Sequence, residues 1–222
     1  MDITSALLLA ALQLPQTAPV TFGTSGELVR YVVLGDSTAA GVGAAAEDGI
    51  AIRTAPHLGL TRRVTMRNLG VSGARMRDVL EQQLPEAEAF APDLVLISAG
   101  ANDVTHLTPI PSIRRRLRQT VSRLRAANPS VRIVVTGAPD MGSPPRIPFG
   151  LRWAASLRTW MVNRMFRAEA RRLRIVFAPI AERTGPLFRA DRTLFHADRF
   201  HPNTRGHATW IPVLTEGLAS GR

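Results

Sequence analysis

The segment Tyr31-Val32-Val33-Leu34-Gly35-Asp36-Ser37-Thr38 joins an apolar run to a turn of small and polar residues. A short apolar run halted by Gly-Asp reads as a buried strand ending in a turn. That reading sets Ser37 at the carboxyl edge of a sheet, where ligands bind in open α/β folds. Working outward, runs rich in Val, Ile and Leu recur near 64–69, 93–98, 131–136 and 174–178. Continuous runs such as Leu94-Val95-Leu96-Ile97 suit parallel strands covered on both faces. The stretches between them carry helical spacing. Ile113, Leu117, Val121 and Leu124 form one apolar stripe. Trp153, Leu157, Met161 and Met165, at spacing four, are expected to form another that faces the core. Strands alternating with helices predict an α/β fold, a three-layer α/β/α sandwich on a five-stranded parallel sheet.

Composition narrows the class. At 222 residues and 45% hydrophobic content one globular domain is expected. The absence of cysteine excludes disulfides, thiolate metal sites and cysteine nucleophiles. The net charge is +11, and all 28 basic residues are arginine. Between Asp103 and Asp140 there are six arginines from Arg114 to Arg125 and no acid, which reads as a solvated basic helix face. A basic α/β protein binding nucleic acid or an anionic surface is the competing reading. It would need aromatic residues interleaved with the charge for stacking, and residues 110–128 have none. At the N-terminus, Ala6 to Leu14 is apolar but too short to span a bilayer. It follows Asp2, lacks a basic start and is not followed by an A-x-A cleavage site. Residues 1–26 are therefore expected to form a packed helix and a linker marked by Pro15 and Pro19, with the single domain over 27–222. A monomer without stable membrane insertion is expected; export is left undecided, with the cytoplasm favoured over secretion.

Serine attacks poorly at neutral pH unless a base, held in the right tautomer, takes its proton. Asp198-Arg199-Phe200-His201-Pro202-Asn203 offers both groups: a carboxylate three residues before a histidine can turn toward Nδ1, leaving Nε2 free to face Ser37. Pro202 suits a first helical turn, so a final helix is expected to start there. Acyl transfer also needs donors aimed at a developing oxyanion. Two loops after strands supply candidates: Gly73, ending Asn68-Leu69-Gly70-Val71-Ser72-Gly73, and Asn102, in Gly100-Ala101-Asn102-Asp103.

Taken in order, these four segments resemble the blocks of the SGNH, or GDSL-type, hydrolases over nearly the whole chain after residue 30. Gly35-Asp36-Ser37 resembles the nucleophile block and Gly73 the glycine block. Gly100-Ala101-Asn102-Asp103 is similar to the Gly-x-Asn-Asp block, and Asp198-x-x-His201-Pro202 to the last. The resemblance implies a flavodoxin-like fold and ester hydrolysis through an acyl-serine, without cofactor. It also implies Ser37 as nucleophile, His201 as base, Asp198 as its partner, and an oxyanion hole made of the Ser37 and Gly73 N–H groups and the Asn102 side chain. Thr38 departs from the apolar residue often found after the serine. Asp36 and Asp103 are expected to stabilise loops.

The ester substrate is expected to be a small molecule with a short or medium acyl chain. Lysophospholipase, thioesterase and carbohydrate acetylesterase activities share the same site. The proline-rich loop 138–150 follows a strand and is expected to line the pocket, with Arg146 receiving an anionic group and Phe149 and Phe200 walling it. Other motifs are weaker. Gly41-Val42-Gly43-Ala44-Ala45-Ala46 imitates a dinucleotide fingerprint but lies beyond the first turn after the strand, and no acidic residue lies near positions 60–70 to hold a ribose. There is no G-x-S-x-G elbow. His196, Asp198, His201 and His207 match no familiar zinc spacing, so no metal is expected. His57 and His106 read as surface or loop histidines.

Overall fold

The computed structural model describes residues 19–59 and 62–220, so the expected N-terminal helix over Ala6–Leu14 and the Pro15 end of its linker lie outside the described residues. Six strands form one sheet: β1 (Val20–Phe22), β2 (Leu28–Gly35), β3 (Arg63–Asn68), β4 (Leu94–Ser98), β5 (Arg132–Val135) and β6 (Val176–Phe177). Their order is β1-β3-β2-β4-β5-β6. Five are mutually parallel, and β1 runs antiparallel to β3, with Val20 opposite Met66. The expectation of five strands is corrected by this edge strand, which lies where a linker was expected. Three residues between Pro19 and Gly23 carry no periodic signal of their own; pairing with the free edge of β3 defines them.

The helices are α1 (Ser37–Ala40), α2 (Ile50–Gly59), α3 (Met76–Asp78), α4 (Leu84–Phe90), α5 (Ala101–Thr105), α6 (Ile110–Ala127), α7 (Arg152–Leu173), α8 (Ile180–Ala190) and α9 (Thr204–Ala219). Alternate side chains of a strand point to opposite faces, and the core divides accordingly. Val32, Leu34, Val95 and Ile97 pack with α3, α4, α6 and α7. Tyr31, Val33, Leu94 and Leu96 pack with α2, α8 and α9 on the other face. The result is three layers.

One helix departs from its expected orientation. Of the stripe Trp153, Leu157, Met161 and Met165, only Met165 is buried; Trp153 is 70% exposed. The buried face of α7 instead includes Val162, Phe166 and Ala170. Residues four apart advance about 40° around a helix at each step. A stripe at strict spacing four therefore winds off one face, and Met165 lies about 120° from Trp153.

Parallel register brings the carboxyl ends of β2, β3 and β4 together, with Gly35 beside Ser98 and Val33 beside Asn68. The loops leaving these ends carry Ser37, Gly73 and Asn102. The turn before α9 brings Asp198 and His201 to the same edge.

Candidate active site

The turn after β2 is held from three sides. Gly35 has φ +143°, and a Cβ there would stand 1.8 Å from the Ser98 carbonyl oxygen, so only glycine fits. The Asp36 N–H donates to that oxygen at 3.0 Å. Gln83, in a π turn (Val79–Gln83), accepts from the Gly35 N–H and donates to the Gly35 carbonyl, both at 2.8 Å. Asp36 caps α1, accepting from the Thr38 N–H and hydroxyl at 3.0 and 2.8 Å. Burial pushes its carboxyl up to about 6, against the pull of those two bonds. Thr38 also bonds the Ser98 hydroxyl at 2.9 Å. A hydroxyl in place of the usual apolar residue thus ties β2 to β4. Ser37 opens α1, in the first turn where backbone N–H groups lack intrahelical partners.

His201 spans the gap between Ser37 and Asp198. Its Nε2 lies 3.0 Å from Ser37 Oγ and its Nδ1 2.5 Å from Asp198 Oδ2. The other Asp198 oxygen accepts from the Phe200 and His201 N–H groups at 2.9 and 3.0 Å. The Asp198-to-His201 turn is closed by Arg199 in the left-handed region at φ +60°, a conformation few non-glycine residues adopt. Burial works against the Asp198 charge, but the bonds from the His201 ring and the two backbone N–H groups outweigh it and lower its pKa. Phe200 stands edge-on to the imidazole, ring centres 5.1 Å apart. The last helix starts at Thr204, two residues after Pro202, because Asn203 accepts from the Gly206 N–H at 3.0 Å as its cap.

The other two loops meet each other. Asn102 Nδ2 donates to the Ala74 carbonyl at 3.1 Å, which leaves its second hydrogen for a ligand and joins the Gly73 loop to α5. Gly73 has φ +84° with open space where a Cβ would be, so the backbone conformation is what calls for glycine there. Asp103 is fully buried and accepts from the Met76 N–H at 2.9 Å, fixing the start of α3; burial raises its pKa.

Residues 33–209 match the sequence profile of the GDSL-like Lipase/Acylhydrolase family. The chain belongs to that family. It is 32% identical over 191 residues to a GDSL-like esterase of Mycobacterium tuberculosis; the match covers 84% of this chain, which spans 60% of that relative's length. A lipase from a goat rumen metagenome superposes with a TM-score of 0.69 at 18% identity, covering 87% of this chain and 99% of the other. An extracellular lipase of Streptomyces rimosus superposes with a TM-score of 0.64 at 23% identity, covering 85% and 99%. These likenesses establish the fold.

Beside Ser37, this GDSL-family chain encloses a small cavity of about 30 Å³, walled by Met141, Phe188, Phe195, Phe200 and Trp210 among others. Phe200 is where the sequence places it. Phe149 is not: it lies in a 3₁₀ turn (Phe149–Leu151), 86% exposed and away from the cavity. Its neighbours Pro148 and Gly150 carry the chain over the surface instead of inward. Arg146 does not line the cavity either. Its guanidinium sits over the Phe200 ring at 6.0 Å and its N–H donates to the Arg199 carbonyl at 2.9 Å, so it braces the His201 turn from outside. Phe188, Phe195 and Trp210 are residues that sequence reasoning missed; they arrive from α8, the segment after it and α9, with no signal beyond apolar spacing. Of the remaining histidines, His207 is buried with Nε2 on the Val42 carbonyl at 3.1 Å, turned away from any shared ligand. His106 Nδ1 lies 2.9 Å from the Asn102 carbonyl.

Proposed function

We propose that this protein hydrolyses carboxylic esters through an acyl-serine intermediate. The observation that carries the reading is the His201 ring, bonded at Nδ1 to Asp198 and at Nε2 to Ser37. As Ser37 Oγ forms a bond to the ester carbonyl carbon, its proton passes to Nε2, and Asp198 stabilises the imidazolium that results. The oxyanion is received by the Ser37 and Gly73 N–H groups and the free hydrogen of Asn102. Nε2 then returns the proton to the departing alcohol oxygen as the carbon–oxygen bond breaks. Water repeats the sequence in reverse: it gives its proton to Nε2, its oxygen bonds the acyl carbon, and Ser37 leaves with the proton restored.

The cavity favours a short acyl group. About 30 Å³ is the space of one or two waters, which suits an acetyl or similarly short acyl group; a longer chain must displace Phe200 or Met141 or continue into the space adjoining at Ser143. The test is hydrolysis of p-nitrophenyl acetate and octanoate by the wild type and by Ser37→Ala. Turnover of acetate well above octanoate, lost in Ser37→Ala, is expected. Equal turnover by both proteins removes the acyl-serine route; faster octanoate turnover removes the short-chain reading alone.

A further inference from the structure

Helix α7 and the turn before it carry a second apolar face that stays largely open to solvent in the described chain. Among the described residues, Phe149, Leu151, Trp153, Leu157, Trp160 and Met161 make up six of the nine exposed large apolar side chains, within thirteen consecutive residues. Scattered exposed apolar residues are ordinary, but a contiguous cluster marks an interaction surface. Trp153, Leu157, Trp160 and Arg164 fall within about 60° of one another around the helix, opposite the buried side of Val162 and Phe166.

Along the chain this segment carries charge of one sign, and the carboxylates that neighbouring elements bring up to it, Asp140 and Glu182, are paired with Arg189 and Arg167. No acidic residue lies between Met141 and Ala168. Arg146, Arg152 and Arg164 make no ion pair with a carboxylate among the described residues. Two of these guanidiniums lie over rings of the same face: Arg152 over Phe149 at 6.0 Å and Arg164 over Trp160 at 5.4 Å. Amphipathic rings and aliphatic side chains flanked by arginine suit the boundary between lipid headgroups and acyl chains, where the rings enter and the guanidiniums reach phosphate. A second copy of the chain across a two-fold axis would set these arginines against one another. The aliphatic members of the cluster, Leu151, Leu157 and Met161, fit acyl chains better than stacked bases.

Position ties the face to the site. An open groove of about 350 Å³ is lined by Trp153, Arg152, Ser156 and Arg192 and shares Ser143 with the cavity beside Ser37. We propose that this face docks the protein on an anionic lipid surface and so holds the mouth of the Ser37 cavity against the bilayer. This is adsorption: no described helix is long and apolar enough to cross a membrane. The docking stands on the face itself, and only its use in presenting an ester rests on the hydrolase reading.

The test is flotation of the full chain with phosphatidylcholine vesicles, with and without phosphatidylglycerol, alongside tryptophan emission. Flotation with the anionic vesicles is expected, together with a blue shift as Trp153 and Trp160 leave water; Trp210, 2% exposed, is already buried. Leu157→Ala/Trp160→Ala should weaken binding by about tenfold or more and leave hydrolysis of a dissolved ester unchanged. Arg164→Gln should weaken it about fivefold on anionic vesicles and not at all on neutral ones. Ser37→Ala should float like the wild type, so loss of the hydrolase reading leaves this result standing. The proposal is overturned by absence of flotation, by equal flotation of the double variant, or by displacement from vesicles with a single-stranded oligonucleotide. It is equally overturned if the wild type sediments as a dimer that the double variant dissolves.

Discussion

His207 offers a prediction whose size follows from its surroundings. Its ring is fully buried, bonds the Val42 carbonyl through Nε2, has no partner at Nδ1, and packs against Trp210. Burial depresses its pKa from 6.5 to about 4, against the smaller pull of the Val42 bond. A histidine that resists protonation when folded loses stability as pH falls through its unfolded value, until the folded form also protonates near pH 4. At pH ~4.5 the accumulated loss is about 2–3 kcal/mol relative to pH 7. Asp36 acts in the opposite sense over the same window. Its raised folded value, about 6, makes stability rise as pH falls from there toward its unfolded value near 3.8. The wild type alone therefore hides both effects. His207→Gln keeps an N–H for Val42 and removes only the titration. Urea unfolding of both proteins at pH 7 and pH 4.5 isolates it: the stability deficit of the variant at pH 7 should shrink by about 2–3 kcal/mol, or reverse, at the lower pH. Parallel pH profiles for the two proteins would refute the reasoning, because they would mean that His207 titrates alike folded and unfolded.

Three further outcomes follow from the site. Asp198→Asn, which cannot stabilise the imidazolium, should lower kcat for p-nitrophenyl acetate by about 10⁴ with little change in KM; a loss confined to KM would assign Asp198 to binding. Asn102→Ala should lower kcat by about 10²–10³ if its free hydrogen meets the oxyanion, and a wild-type kcat removes it from that role. Gly35→Ala sets a methyl 1.8 Å from the Ser98 carbonyl, so a loss of more than about 3 kcal/mol in stability is expected; a melting temperature equal to that of the wild type refutes the close approach.

How far the sequence could be read depended on whether a signal was local. The parallel strands and the turn at Gly35 were legible because each is a short apolar run closed by a turn residue. The Asp198–His201 pair was legible because both partners lie within one turn of chain. Gln83 was not. Its two bonds to Gly35 cross 48 positions, and a glutamine in an unremarkable helical stretch announces nothing. Strand β1 was hidden for the same reason, since only the edge of β3 makes its three residues a strand. The cavity wall was hidden too: Phe188 and Trp210 read as ordinary core residues, and their place beside Ser37 comes from how α8 and α9 return to the sheet.

Helix α7 failed differently, and its failure is instructive. Spacing four identified a real apolar stripe but could not say which side of the helix the sheet would cover. The core took Val162, Phe166 and Ala170, and the tryptophans were left outside. A helix with one apolar face has its orientation dictated by burial; a helix with two must choose, and the unchosen face is free to serve something other than folding. Of that face, Trp153 and Arg152 line the groove that adjoins the cavity at Ser143. Replacing Trp153 and Trp160 should accordingly leave the folding stability of the domain nearly unchanged, within about 0.5 kcal/mol. A core residue of similar size such as Trp210 should cost about 3–5 kcal/mol when cut to alanine. Thermal unfolding of the two variants decides between a face kept for packing and a face kept for contact. A large loss on removing Trp153 and Trp160 would return that stripe to the core, where its spacing first placed it.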